Sequence, residues 1–338
     1  MNFEQTIRRI QPLCEESMNG ARHRFSNIAI PLGSLGLLQD AIIQLAGIQR
    51  RAKPEIGKRA VVVFCADNGV VAQGVTQCGQ EVTAIVTEAM ESAAKLRVRL
   101  VADAGDSSVC CMARCVHADV IPVDIGVAVD VHGEKIRQCK IMYGTKDMTE
   151  GPAMTREQAV RAIEVGISMA EECREKGYEL LCVGEMGIGN TTSTAAMTAA
   201  LLNLPVEQVT GRGAGLSSEG LKNKISAIKR AIARNKPDAS DPIDVLHKVG
   251  GLDIAGMAGL YLGGAACGLP VVADGVIACA AALCAARICP PARDYMLVSH
   301  QSEEPAGAVL LKALDAKPFI TAGMRLGEGT GAVAAVAL

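Results

Sequence analysis

At several points in the chain an apolar run stops at a group able to do chemistry. Asp67 follows Ala60-Val-Val-Val-Phe-Cys65, Asp124 closes Val120-Ile-Pro-Val-Asp124, and Asp274 follows Val271-Val-Ala273. Glu185 lies inside Leu180-Leu-Cys-Val-Gly-Glu185, and the pair Ser299-His300 follows Tyr295 to Val298. Carboxylates converging on one crevice are costly unless they bind something or one of them holds a proton. Glu185 stands in the most informative surroundings. Gly184, Gly187 and Gly189 enclose it, and Asn190-Thr191 opens a run of small residues that reads as a helix. A strand, a glycine turn and a helix start leave bare backbone N–H groups and a positive dipole end facing outward, which suits an anion. A phosphate cradle gains nothing from a carboxylate, so Glu185 points to a site that handles more than phosphate. The glycine spacing matches neither the dinucleotide fingerprint nor the P-loop. A turn that needs glycine only for its backbone is the alternative.

Glu328 differs in kind. It sits in Gly327-Glu-Gly-Thr-Gly331, with neither helical nor strand periodicity. Held on such a turn against apolar walls, its pKa would rise toward the range that suits a general base; an exposed loop glutamate is the alternative. Lys224 follows the glycine turn Gly211-Arg-Gly-Ala-Gly215 and could reach a phosphate or carboxylate, or belong to a solvated helix face. Asp124 reads as a helix cap.

The elements that must position these groups alternate. Helices are expected over Asn2–Glu16, Leu37–Gln49, Glu81–Ala94 and Cys110–Val116. Thr155 caps a helix stopped by Gly177, another follows Gly215, Asp241-Pro242 starts the next, and a helix capped by Ser302 runs to Asp315. His132–Thr149 reads as a loop, and Leu96–Ala102 as a further apolar stretch. Strands alternating with amphipathic helices imply an α/β fold, a mostly parallel sheet with helices on both faces in a Rossmann-like three-layer arrangement. In such sheets ligands bind at the carboxyl ends of the strands.

Composition narrows the partners. A net charge of -2 offers no field for nucleic acid or acidic membranes, and 2% aromatic residues make stacking on rings a poor binding mode. The 13 cysteines show no zinc-like spacing and fall mostly in apolar runs, as buried thiols of a reducing cytoplasm do. No metal site and no cofactor are expected, and no secretion leader opens the chain. Ile254–Ala273 carries no charge before Asp274, but its glycines and Pro270 suit a buried helix followed by a central strand better than a membrane span.

Ala66-Asp-Asn-Gly-Val70, Gly151-Pro-Ala-Met-Thr155, Gly184-Glu-Met-Gly-Ile-Gly-Asn-Thr-Thr192, Lys248-Val-Gly-Gly-Leu-Asp253 and Met324-Arg-Leu-Gly-Glu-Gly329 occur in this order over nearly the whole chain. Together they resemble the nicotinate-nucleotide–dimethylbenzimidazole phosphoribosyltransferase family, which activates the lower-ligand base of cobalamin. The resemblance implies transfer of the 5-phosphoribosyl group from nicotinate mononucleotide to a base nitrogen, with Glu328 as the catalytic base. It implies that Glu185 and Lys224 belong to the nucleotide site and that Gly187, Asn190, Gly275 and Ser302 line the ribose-phosphate pocket. Asp67 and Thr191 join the substrate-binding set, and Cys78 and Val86 stand in the base pocket where benzimidazole users have Ser and Gln. It also implies a homodimer and a small helical domain from the chain ends, here residues 1–30, beside a large α/β domain of residues 31–338. Against the family pattern, Ile30-Pro31 replaces Lys-Pro, residues are added between Glu91 and Gly105, and little of the C-terminal helix follows Leu338. Two other readings stay open: a nucleotide-dependent α/β enzyme of another class, and a non-catalytic relative of the family.

Overall fold

The computed structural model describes residues 1–95 and 107–338, with 91–95 described only as helical backbone. The added segment at Glu91–Gly105, past the helical backbone to Lys95, and the apolar stretch Leu96–Ala102 therefore lie outside the described residues.

The strands are β1 Arg59–Ala66, β2 Ala118–Gly126, β3 Arg137–Gln138, β4 Leu180–Met186, β5 Val271–Ala273 and β6 Met296–Val298. They form one sheet in the order β3-β2-β1-β4-β5-β6, every neighbouring pair parallel. Helices α1 Phe3–Arg9, α2 Glu15–Ser26 and α3 Leu37–Gln49 precede the sheet, and α4 Glu81–Lys95 and α5 Ser108–Cys115 lie between β1 and β2. After β3 come α6 Arg156–Glu175 and, beyond β4, α7 Asn190–Leu202, α8 Val206–Val209, α9 Ser218–Asn235, α10 Pro242–Val249 and α11 Leu252–Cys267. The chain closes with α12 Val276–Ile288, α13 Ala306–Ala313 and α14 Thr330–Val336.

Strand alternation divides the core into two layers. Val62, Phe64, Leu181, Val183, Val271 and Ala273 face α6, α11 and α12. Val61, Val63, Cys65, Cys182 and Val272 face the layer that holds Met90, Cys110, Ala113 and Val333. The fold is thus the expected three-layer α/β arrangement. The uncharged stretch from Ile254 is α11, and its glycines have a packing reason. A Cβ on Gly259 would run into the carbonyl of Ile163, and one on Gly263 would meet the Cβ of Ala170 at 2.8 Å. α6 and α11 therefore lie backbone against backbone.

The expected helix Asn2–Glu16 is two helices. Pro12 has no N–H to give and forces Gln11 out of the helical region, so α1 ends at Arg9 and α2 begins at Glu15. α1 docks on α6 and α11, where the chain's amino terminus pairs with Glu171 at 2.7 Å, while α2 packs on α3. The helix expected from Ser302 starts only at Ala306, because Pro305 disfavours helical backbone at Glu304. Asp124 caps no helix. Its Oδ1 accepts from the Val127 amide at 3.0 Å and its Oδ2 pairs with Lys140 at 3.0 Å. His132–Thr149 is irregular apart from the two-residue edge strand β3.

Candidate active site

A cavity of about 230 Å³ opens at the carboxyl ends of β4, β5 and β6, where loops after parallel strands meet. Of the residues singled out above, Cys78, Glu185, Gly187, Gly189, Asn190, Thr191, Asp274, Gly275, His300, Ser302, Gly327 and Glu328 line it. Asp67, Val86 and Lys224 do not. Asp67 is buried with Oδ2 on the Ala128 amide at 2.8 Å, and burial raises its pKa. Val86 packs against the α4–α5 core layer. Lys224 has no exposed surface, so it is not on a solvated face. Its ammonium donates to Thr191 Oγ1 at 2.8 Å, so it stands one residue behind the wall. Burial pulls it down to about 8, against the pull of Glu304.

Glycine sets the two turns that frame the cavity. Gly189 precedes α7 at φ +95°, a left-handed conformation that costs glycine little. Neither α7 nor α12 has a side-chain cap; the Asn190 and Thr192 amides of α7 bond the Gly187 and Gly189 carbonyls, whereas the first amides and positive dipole end of α12 are left beside the cavity. The second turn carries Glu328, itself at φ +62° between Gly327 and Gly329, also left-handed. Backbone in that region is strained for a residue with a side chain and persists when its surroundings fix it. Here Gly184 fixes it, since a Cβ there would stand 2.8 Å from the Glu328 carbonyl carbon. Asp274 fixes it from the other side, accepting the amides of Gly329, Gly331 and Ala332 at 3.0, 2.7 and 3.1 Å. Burial nonetheless pushes Asp274 up to about 7 against those three amides.

Glu185 is tied at both oxygens. Asn190 donates to Oε2, and the Glu328 amide approaches Oε1 at 3.4 Å. The same Asn190 amide donates to Asp253 Oδ2 at 2.9 Å. Two buried carboxylates thus share one side-chain amide. Burial, then the charge of Asp253, pushes Glu185 up to about 8; burial, with Asp67 nearby, pushes Asp253 up to about 6. The arrangement favours at least one proton on the pair at neutral pH. Glu328, half-buried, is raised by burial, and among the described residues its Oε2 receives only a long contact of 3.4 Å from the Val109 amide. Among the described residues its oxygens are less fixed than those of Glu185 or Asp274, which leaves it able to take a proton from a ligand.

Reasoning from strand ends missed several residues here. Asp253 begins α11 rather than following a strand. Arg212 and Arg325 bring positive charge to the wall, Arg212 fixed by bonds to the Leu216 carbonyl at 2.6 Å and Ser218 Oγ at 3.1 Å. Glu304, also on the wall, accepts from the Gly213 amide at 3.0 Å. Three of these lay inside motifs quoted above, Arg212 in Gly211-Arg-Gly-Ala-Gly215, Arg325 in Met324-Arg-Leu-Gly-Glu-Gly329 and Asp253 at the end of Lys248-Val-Gly-Gly-Leu-Asp253; their positions there are the signal that could have found them. Among the described residues no group of His, Cys, Asp and Glu is arranged to hold a metal ion, and no helix is long and apolar enough to cross a membrane.

Comparison with known proteins places this geometry. A family model described as phosphoribosyltransferase matches residues 10–338. The nicotinate-nucleotide–dimethylbenzimidazole phosphoribosyltransferase of Acetivibrio thermocellus is 45% identical over 98% of this chain and 91% of its own length. That of Alkaliphilus metalliredigens is 46% identical, again over 98% and 91%. A crystal structure of CobT from Thermus thermophilus superposes with a TM-score of 0.87 at 39% identity, covering 95% of this chain and 93% of that one. The chain belongs to this family of phosphoribosyltransferases and carries its α/β fold.

Proposed function

We propose that the protein transfers the 5-phosphoribosyl group of nicotinate mononucleotide to a ring nitrogen of a lower-ligand base such as 5,6-dimethylbenzimidazole. The products are the α-ribazole 5′-phosphate and nicotinate. The observation that carries this reading is Glu328, a carboxylate with little to hold its oxygens, raised by burial and fixed on a strained turn beside uncapped helix starts.

The chemistry asks little else of the protein. The base nitrogen attacks C1′ as the bond from C1′ to the pyridinium nitrogen breaks. The electron pair of that bond leaves with nicotinate, whose ring becomes neutral. The attacking ring then carries a proton it must lose, and Glu328 takes it. Attack opposite the leaving group inverts C1′, giving the α-riboside. Positioning supplies most of the remaining rate. The open amides of α12, with Gly275, Ser302 and Arg212, suit the phosphate. Glu185 and Asn190 border the ribose, Lys224 acts through Thr191, and Cys78 borders the incoming base. Glu185 supports the turn that carries the base through its contact with the Glu328 amide. The same reading carries a homodimer in the cytoplasm, with residues 1–30 as part of a small helical domain; sedimentation velocity tests the dimer.

The direct test is incubation with nicotinate mononucleotide and a panel of bases, with chromatography for released nicotinate and for the riboside phosphate. Release that depends on both nucleotide and base supports the reading. No release with any base overturns it and leaves a relative that binds without turnover.

A further inference from the structure

Ser299-His300 stands out in the sequence, and the mechanism above leaves it without a task. His300 is 3% exposed, lies in the cavity wall, and has a fixed backbone. A parallel bridge to Ile320 continues the sheet past β6 at this residue. One edge of its ring is closed. Nδ1 is 3.0 Å from Ser299 Oγ, and the same edge faces Gly331, where any side chain would collide with the ring.

The bonds around Ser299 select the tautomer. A hydroxyl has one proton to give, and Ser299 Oγ gives it to the Asp274 carbonyl at 3.1 Å. Toward the imidazole it can then only accept, so Nδ1 carries the proton. Asp274 Oδ1, 3.9 Å from Nδ1, already accepts two amides, and burial holds the ring below its usual pKa. The neutral ring therefore presents Nε2 as a bare acceptor. No group among the described residues hydrogen-bonds to it. A Cβ on Gly275 would stand 3.4 Å from Nε2 and 4.0 Å from Ser302 Oγ. Glycine at the start of α12 keeps this nitrogen uncovered.

We infer that His300 Nε2 accepts a hydrogen bond from a ribose hydroxyl of the phosphoribosyl donor, making His300 a binding residue that selects ribose over deoxyribose. An acceptor suits a hydroxyl, which can donate. It does not suit a phosphate, which offers only acceptors and is better served by the open amides and Arg212 nearby. The inference rests on the phosphoribosyl reading above.

The test compares kcat/KM for nicotinate mononucleotide, its 2′-deoxy and 3′-deoxy analogues, and the riboside lacking phosphate. It uses the wild type, His300→Asn and His300→Gln. Asparagine keeps a donor near Nδ1 for Ser299 and removes only Nε2, whereas the longer glutamine amide returns an acceptor toward the Nε2 position. Wild type should disfavour one deoxy analogue about 10- to 100-fold, the usual cost of leaving a buried polar group unpaired. His300→Asn should erase that preference, and His300→Gln should restore part of it. Gly275→Ala, whose methyl would cover Nε2, should erase it as well, and it decides the matter should His300→Asn fail to fold by thermal melt. Discrimination retained in His300→Asn or in Gly275→Ala overturns the inference, as does a wild type indifferent to both deoxy analogues. A loss confined to discrimination between nucleotide and riboside also overturns it and assigns His300 to the phosphate. Absence of nicotinate release by the wild type overturns the phosphoribosyl reading instead, and this inference with it.

Discussion

The two halves of the sheet end alike in sequence and differently in structure. β1 and β2 run into Asp67 and Asp124, and the fold engages both carboxylates: Asp67 Oδ2 by the Ala128 amide, with Oδ1 left without a hydrogen bond among the described residues, and Asp124 by the Val127 amide and Lys140. Lys140 completes the brace by donating to the carbonyls of Val127 and Val129 at 2.6 and 2.8 Å. β4 and β5 run into Glu185 and Asp274, whose surroundings instead bear on a cavity and on the turn of Glu328. An acid after a parallel strand is thus a brace where a lysine and nearby amides close over it. It belongs to a site where uncapped helices leave a space in front of it.

The sharpest division between the halves is kinetic. Glu328→Gln should lower turnover by about 10²–10⁴-fold while nicotinate mononucleotide still binds, read by single-turnover nicotinate release and by calorimetric titration. A rate near wild type at neutral pH would move the proton acceptor elsewhere. On the closed half, Asp124→Ala leaves Lys140 without its buried partner and should cost about 3 kcal/mol of stability without changing KM for the nucleotide. A changed KM with unchanged denaturation would put the brace in the site.

Lys224 tests the boundary between the two kinds of position. A surface lysine could be trimmed at no cost, but this one is wholly buried. Lys224→Ala should cost about 2 kcal/mol, as truncations of buried side chains do, and should raise the nucleotide KM. Lys224→Met restores most of the volume and should keep only the KM effect. Identical melting and KM for Lys224→Ala and wild type would contradict both expectations.

How much of this was legible in the sequence follows the same line. Sheet strands, their order along the chain, and the glycine turn at Gly187–Gly189 show in short-range patterns, because alternation and turn chemistry are local. The family motifs carried Glu328. What stayed hidden depends on distant partners. Nothing near Lys224 announces that α9 turns it inward toward Thr191, and nothing near Asp124 announces Lys140. Asp253 opens a helix like many capping acids, and only the fold brings it to Asn190. Pro12 and Pro305 were readable locally, and each moved a helix boundary that periodicity and capping alone had misplaced.

A smaller effect concerns pH. Glu185 and Asp274 are pushed up to about 8 and about 7, above the range of carboxyls in an unfolded chain. The native state then holds more protons than the unfolded state between roughly pH 4 and 8, so stability falls as pH rises through that window. The melting temperature should drop by a few degrees, roughly, from pH 6 to pH 8, and Glu185→Gln should flatten that slope. A steeper slope in Glu185→Gln would place the proton elsewhere. The smallest effect expected is in base choice. Cys78 is a weak donor, and Val86 lies away from the cavity. Paired bases in one tube should give nearly equal products from benzimidazole and 5,6-dimethylbenzimidazole. A strong preference for the dimethyl compound would mean that shape alone selects it.

The contact of α6 with α11 has a consequence in time. With Gly259 lying on the Ile163 carbonyl and Gly166 on that of Gly256, the two backbones meet at these points with no side chain between them. The central amides of α11 should therefore trade hydrogen for deuterium only when the whole molecule opens, at the slow rate set by global stability. Asp253 rides on the first turn of that helix. The carboxylate pair should thus be anchored to the slowest-exchanging part of the chain, and through the Glu328 amide it extends that support to the turn that Gly184 and Asp274 already hold.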